Sequence, residues 1–207
     1  MEFINKQNLL AANLQHFPYE HIVIKEFINP DVLDIVTRDF PRITKTGLFP
    51  LSSSNGGLVF KNFVKELDGE DFESIIADIF STQLRGKPKL FTMRGRCHIN
   101  DGSIHTDSIS KIITILIYLN SGWEEDGGRL RILKSGTDIS DFTEEISPKA
   151  GTLLAFRRSD KSFHGHEPFE GERKSIQINW MTSTSAHKRE LTRHRFSSFL
   201  KQVNPFG

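Results

Sequence analysis

The spacing of hydrophobic positions changes part-way along the chain. In the first third it is helical. Leu9, Leu10 and Leu14 share one face of a segment over 5–15, and Val32, Ile35, Val36 and Phe40 follow Asn29-Pro30, an N-cap residue with proline at the first helical position. A third stripe, Phe72, Ile75, Ile76, Ile79 and Phe80, predicts a helix over 70–84. One β-rich run, His21 to Phe27, interrupts them, and 41–57 reads as loop. From residue 88 onward the pattern becomes short strands separated by turn residues: Lys89–Met93, Lys111–Leu119, Arg129–Leu133, Gly151–Phe156 and Lys174–Met181. The turns carry Asn100-Asp101-Gly102, Asp126-Gly127-Gly128, Ser135-Gly136 and Pro148 to Gly151. His187 to Lys201 predicts a final amphipathic helix with Leu191, Phe196, Phe199 and Leu200 on its apolar side. Helices first and strands afterwards predict an α+β fold, with N-terminal helices packed on one face of a sandwich or barrel.

Composition narrows this picture. With 207 residues, no linker and no repeat, the chain predicts one domain over 1–207: a helical lead-in at 1–87, a strand core at 88–182 and a C-terminal helix or tail at 183–207. Lys plus Arg is 27 and Asp plus Glu is 26, a net charge of +1 that gives no reason to expect nucleic acid as partner. The basic residues of 187–201 read first as the solvated face of a packed helix. No run is long enough for a membrane span, and the N-terminal stretch does not read as a signal peptide, so a soluble cytoplasmic protein is expected. A single cysteine, Cys97, excludes an internal disulfide, and a metal site here has to use imidazole and carboxylate.

Eight histidines supply the imidazole. In His105-Thr106-Asp107 the first and third residues point the same way if the segment is extended, so both can reach one ion. Alone, that pair reads as a turn histidine and a helix or turn cap. Ser162-Phe163-His164-Gly165-His166 adds a second imidazole, and two histidines with one carboxylate form the facial set used for non-haem Fe(II). His164 and His166 are two apart, so either suits that role. In a strand over 173–180, Arg173, Ser175, Gln177 and Asn179 share one face and Ile176, Ile178 and Trp180 the other. A guanidinium beside a hydroxyl is suited to a buried carboxylate.

His105-x-Asp107, His164 and Arg173-x-Ser175, in this order, resemble the signature of the Fe(II)/2-oxoglutarate-dependent dioxygenases, in the prolyl 4-hydroxylase-like branch. Ile117-Tyr118-Leu119-Asn120, Trp123, Gly127 to Leu130, Gly151 to Phe156 and Ser162 to Gly165 fall in the family's order as well. The resemblance covers about residues 90–182 and implies a double-stranded β-helix, or jelly roll. It implies that His105, Asp107 and His164 ligate iron, that Arg173 pairs with the distal carboxylate of 2-oxoglutarate with Ser175 assisting, and that Tyr118 hydrogen-bonds this co-substrate. Thr114 and Leu116 then share a pocket wall with Tyr118, whose plainer role is that of a core aromatic. The Ser-x-His-Gly context selects His164 over His166 as ligand.

The implied cofactors are Fe(II), 2-oxoglutarate as co-substrate and O2, with ascorbate as an accessory reductant. The implied reaction couples O2 activation to decarboxylation of 2-oxoglutarate to succinate and CO2 and hydroxylates a small-molecule or peptidyl substrate. Where many members carry a tyrosine and a glycine before His-x-Asp, this chain has Arg94-Gly95-Arg96-Cys97-His98. Arg94, Arg96, His98 and His166 are cavity candidates suited to an anionic group, and surface acids are alternative partners for the arginines. The segments 44–60 and 121–127 are candidate lids. A cupin-like metalloprotein and a non-catalytic jelly-roll binding module are the competing readings; Arg173-x-Ser175 argues against the first.

Overall fold

The computed structural model describes residues 1–51 and 56–203, with 197–203 as helix backbone alone. Its elements run α1 (Lys6–Leu10), β1 (His21–Ile24), α2 (Pro30–Arg38), β2 (Phe49–Pro50), α3 (Leu58–Asp68), α4 (Glu70–Ile79), β3 (Lys89–Cys97), β4 (Lys111–Tyr118), β5 (Leu130–Leu133), β6 (Phe142–Ile146), β7 (Leu153–Arg157), β8 (His164–Gly165), β9 (Gly171–Met181) and α5 (Thr184–Val203). The strands form two antiparallel sheets, a larger one in the order β1-β7-β4-β9-β3-β2 and a smaller one in the order β6-β5-β8. This is the expected jelly-roll core.

The two faces of the large sheet have different duties. On β4 and β9 the alternating residues Ile113, Ile115, Ile117, Ile176, Ile178 and Trp180 are fully buried and pack under the N-terminal helices, with Phe63, Leu67, Phe72 and Ile76 opposite. Each such side chain contributes roughly 1.5–3 kcal/mol by leaving water. The other face carries Tyr118, Leu154 and Phe156, which meet Leu130, Ile132 and Ile146 of the small sheet. Beyond that apolar contact the same face turns polar, and there the sheets diverge around a cavity.

The lead-in does more than supply helices. Its β1 pairs with β7, and its β2 pairs with β3, so it provides both edge strands of the large sheet. Helix α3 falls partly in the segment read as a lid. Its N-cap is Gly57, which has no capping side chain, and the carboxylate of Asp39 accepts instead from the Val59 and Phe60 amides at 2.7 and 3.2 Å. At α2 the expected Asn29-Pro30 start is present, but the Asn29 side chain donates to the Glu2 carbonyl rather than capping the helix. The helix predicted over 70–84 ends at Ile79, and the strand predicted over 89–93 continues to Cys97. Phe199 and Leu200, two of the apolar positions assigned to the final helix, have side chains outside the described residues.

Candidate metal centre

His105 and Asp107 stand just before β4, and His164 opens β8. Their segments are tied backbone to backbone: the His105 amide donates to the His164 carbonyl at 3.1 Å and the His164 amide to the His105 carbonyl at 3.0 Å. The imidazole centroids are 4.4 Å apart. One ligand atom from each of His105, Asp107 and His164 lies within 4.8 Å of the others, which is the group expected from the sequence.

The surroundings prepare these donors. Nδ1 of His105 is 2.8 Å from the Ser103 carbonyl, and Nδ1 of His164 is 2.9 Å from the Ser162 carbonyl. Each carbonyl fixes the proton on Nδ1 and leaves Nε2 as the free nitrogen. Burial pushes the His164 pKa down to about 4, more than the nearby Asp107 pulls it up, so the ring is neutral at physiological pH. For Asp107 burial works against ionisation. Lys111 and His164, with hydrogen bonds from Lys111 and Thr114, outweigh it and hold the carboxyl at about 2. Lys111 Nζ is 2.6 Å from one carboxylate oxygen, and the Thr114 hydroxyl donates to the other. Arg158 Nε pins the Asp107 carbonyl at 3.1 Å. Two imidazoles and an ionised carboxylate are a donor set that fits Fe(II) with open positions.

The three side chains line a cavity of about 320 Å³. Arg173, Ser175 and Gln177 of β9 and Thr114 and Leu116 of β4 form its wall, as their alternation predicts. Arg173 is 4% exposed, and among the described residues no carboxylate pairs with it. Its Nε donates to the Gly128 carbonyl at 2.8 Å, and Nη2 lies 3.3 Å from the Tyr118 hydroxyl. Tyr118 itself does not reach the cavity wall; it is fully buried behind Arg173, with its ring centre 5.1 Å from the guanidinium carbon. A buried guanidinium without a counter-ion is costly unless a ligand supplies the negative charge. The site therefore also fits a dicarboxylate.

Residues 93–182 match the signature of the 2OG-Fe(II) oxygenase superfamily. The chain carries a 2OG-Fe(II) oxygenase domain. The oxygenase shares its fold with a prolyl-4-hydroxylase of Pseudomonas putida (TM-score 0.53, 18% identity, 78% of this chain and 84% of the other). It is similar too to a viral collagen prolyl hydroxylase of Paramecium bursaria Chlorella virus-1, solved with 2OG (TM-score 0.53, 14% identity, 78% and 96%). A third likeness is to prolyl 4-hydroxylase of Phytophthora capsici (TM-score 0.51, 18% identity, 81% and 61%). Among curated proteins no relative matches the chain. The enzyme is a 2-oxoglutarate-dependent dioxygenase whose cofactors are Fe(II), 2-oxoglutarate and O2.

The arginines and histidines around the triad separate into two groups. Arg94 lines the oxygenase cavity and is ion-paired to Asp101. Arg96 does not: it is exposed, and the β3–β9 register shifts here, with Arg94 opposite Ser175 and Arg96 opposite Glu172, so that the extra residue is on β9. Gly95 sits opposite this bulge, and a Cβ there would stand 2.4 Å from the Ile43 carbonyl oxygen. Arg96 instead lines a separate groove with Arg38 and Arg42. His98 is exposed, and its ring accepts from the Asn100 amide. His166 is on the cavity wall beside the triad; burial, then Arg173, lowers its pKa to about 4.

Three contributors to the site were absent from the sequence reading. Lys111 is four residues after Asp107, a spacing without meaning in a loop-to-strand segment. Arg193 and His194 of α5 line the cavity too, although their helix reads as a solvated basic face. Of the two candidate lids, 44–60 contributes Leu48, whereas none of 121–127 reaches the cavity. Trp123 of the second is buried, has its ring centre 4.6 Å from that of Phe169 in a tilted arrangement and donates to the Gly127 carbonyl.

Proposed function

We propose that His105, Asp107 and His164 hold Fe(II) and that Arg173, with Ser175, binds the distal carboxylate of 2-oxoglutarate. One observation carries this reading: the three metal-ligand side chains and the buried Arg173, which has no carboxylate partner among the described residues, line the same cavity. When bound, Fe(II) and 2-oxoglutarate supply O2 activation coupled to decarboxylation to succinate and CO2, with hydroxylation of a substrate C–H. The chain's own residues set the conditions. Ser103 and Ser162 orient the imidazoles, Thr114 and Lys111 keep Asp107 ionised, and Tyr118 and the Gly128 carbonyl hold the Arg173 fork in place. Leu116 and Leu130 bring apolar surface to the cavity.

The test is succinate release with Fe(II) and 2-oxoglutarate, together with Mn(II) binding. D107A or H164A should abolish metal binding and turnover, and undiminished turnover in either rejects the ligand assignment. R173A should weaken 2-oxoglutarate binding by about 2–4 kcal/mol, the cost of losing a buried charge-assisted pair. An unchanged affinity would show that another cation holds the carboxylate.

A cytoplasmic location is part of the same proposal. Cys97 is a free, buried thiol, and no described helix is long and apolar enough to cross a membrane. Recovery of the native protein from a secreted or periplasmic fraction would reject it.

A further inference from the structure

Helix α5 begins at Thr184, beyond the stretch that matches the superfamily, yet it forms part of the cavity wall. Glu190, Arg193 and His194 have the i, i+3, i+4 spacing that puts three side chains on one helix face. Glu190 is 5% exposed, and its carboxylate is 2.7 Å from Nη2 of Arg193. That contact is poorly aligned, since the same Glu190 oxygen has no hydrogen bond of good geometry. Arg193 is thus seated at one end by a buried charge, while its side chain remains 66% exposed and faces the cavity.

The charges around the cavity give this helix a purpose. Four cations line it, Arg94, Lys111, Arg173 and Arg193, against the single carboxylate of Asp107. Arg94 is engaged by Asp101, Lys111 by Asp107, and Arg173 is the partner proposed above for 2-oxoglutarate. Fe(II) and the 2-oxoglutarate dianion cancel one another, so loading the site does not remove the positive excess. Arg193 also has one carboxylate beside it, Glu190, but it is approached through Nη2 alone and is the most exposed of the four, so it keeps N–H donors open to the cavity mouth. A guanidinium with free N–H donors at the mouth of a cationic cavity selects an oxyanion.

We propose that α5 is the substrate-reading wall of this enzyme: Arg193, seated by Glu190 and flanked by His194, binds a carboxylate or phosphate group of a small anionic substrate. This rests on the oxygenase reading above. It places the carbon to be hydroxylated between the triad and α5, with the oxyanion as the anchor.

The experiment is calorimetry on enzyme loaded with Mn(II) and 2-oxoglutarate. Two pairs of probes are titrated, glycerol 3-phosphate against glycerol and N-acetylproline against N-acetylprolinamide. One anionic member is expected to bind at least tenfold more tightly than its neutral counterpart, and the pair concerned tells phosphate from carboxylate. R193Q should erase that preference, and R193K, which keeps the charge without the fork, should restore part of it. Equal binding within both pairs, or a preference that persists in R193Q, overturns the proposal. If 2-oxoglutarate itself fails to bind the Mn(II) enzyme, the oxygenase reading fails and this inference falls with it.

Discussion

The Tyr118 hydroxyl lies 3.3 Å from Nη2 of Arg173, and the Tyr118 ring centre is 5.1 Å from the guanidinium carbon. One side chain thus holds the arginine by an edge and by a face. Y118F keeps the ring contact and removes the hydrogen bond, a loss of about 1 kcal/mol. The affinity for 2-oxoglutarate should fall about fivefold, read by calorimetry on Mn(II)-loaded enzyme. Y118A removes both contacts and should weaken binding further; equal effects of the two variants would show that the ring contributes nothing.

Thr114 tests the preparation of the metal ligands. Its hydroxyl donates to Asp107 and lies 3.0 Å from the Asn179 side-chain oxygen. T114V is close in shape and lacks the donor. Loss of such an outer partner lowers metal affinity by about 10–100-fold, and Mn(II) titration should show a fall in this range. Wild-type affinity in T114V would mean that Lys111 alone suffices to orient the carboxylate.

Acid should loosen the metal-free protein in a defined window. His164 has a pKa of about 4 in the fold against 6.5 as its ordinary value. As pH falls from about 6.5 to 4 the unfolded chain takes up a proton that the folded chain refuses, and stability drops by up to about 3 kcal/mol. His166, also lowered to about 4, adds a loss of the same sign. Asp107 does not contribute in this window: its depressed pKa of about 2 stabilises the fold above the ordinary 3.8, and that stability is lost only as pH falls from there through 2. Urea denaturation at several pH values should show the slope, and H164Q should flatten it. A slope unchanged in H164Q would place the proton uptake elsewhere.

Gly95 carries a steric prediction. With the Ile43 carbonyl oxygen 2.4 Å from where a Cβ would stand, G95A must move backbone on β3, opposite the β9 bulge. A destabilisation of about 1–3 kcal/mol is expected, measured by thermal denaturation. An unaltered melting temperature would show that the loop around Ile43 yields freely.

The sequence made the catalytic face of this fold readable because strand alternation is local. On β9 the residues Arg173, Ser175 and Gln177 reach the cavity while Ile176, Ile178 and Trp180 enter the core, as their period of two requires. The same rule misleads at Arg96, which is exposed although it stands two residues from Arg94; the extra residue at this irregularity is on the partner strand β9. Helix α3 escaped notice for another reason. Phe60, Phe63, Val64 and Leu67 have helical spacing, but the signal that starts the helix is Asp39, about twenty residues earlier in the chain. Strand β6 has the sequence Phe-Thr-Glu-Glu-Ile, with polar residues at its centre, and β8 takes its place from pairing with β5 rather than from its own two residues. Lys111, Arg193 and His194 acquire their roles only when separate elements come together, and no local pattern marks that.

The paired hydrogen bonds between the peptide groups of His105 and His164 have a consequence for how the enzyme comes to life. These two amides should exchange with deuterium slowly and together, because both are released by the same opening. Until the small sheet closes over the large one, the chain offers a metal ion at most one imidazole beside Asp107. A half-folded molecule is therefore chemically unarmed, and the closure that completes the barrel is the same event that creates its reactivity.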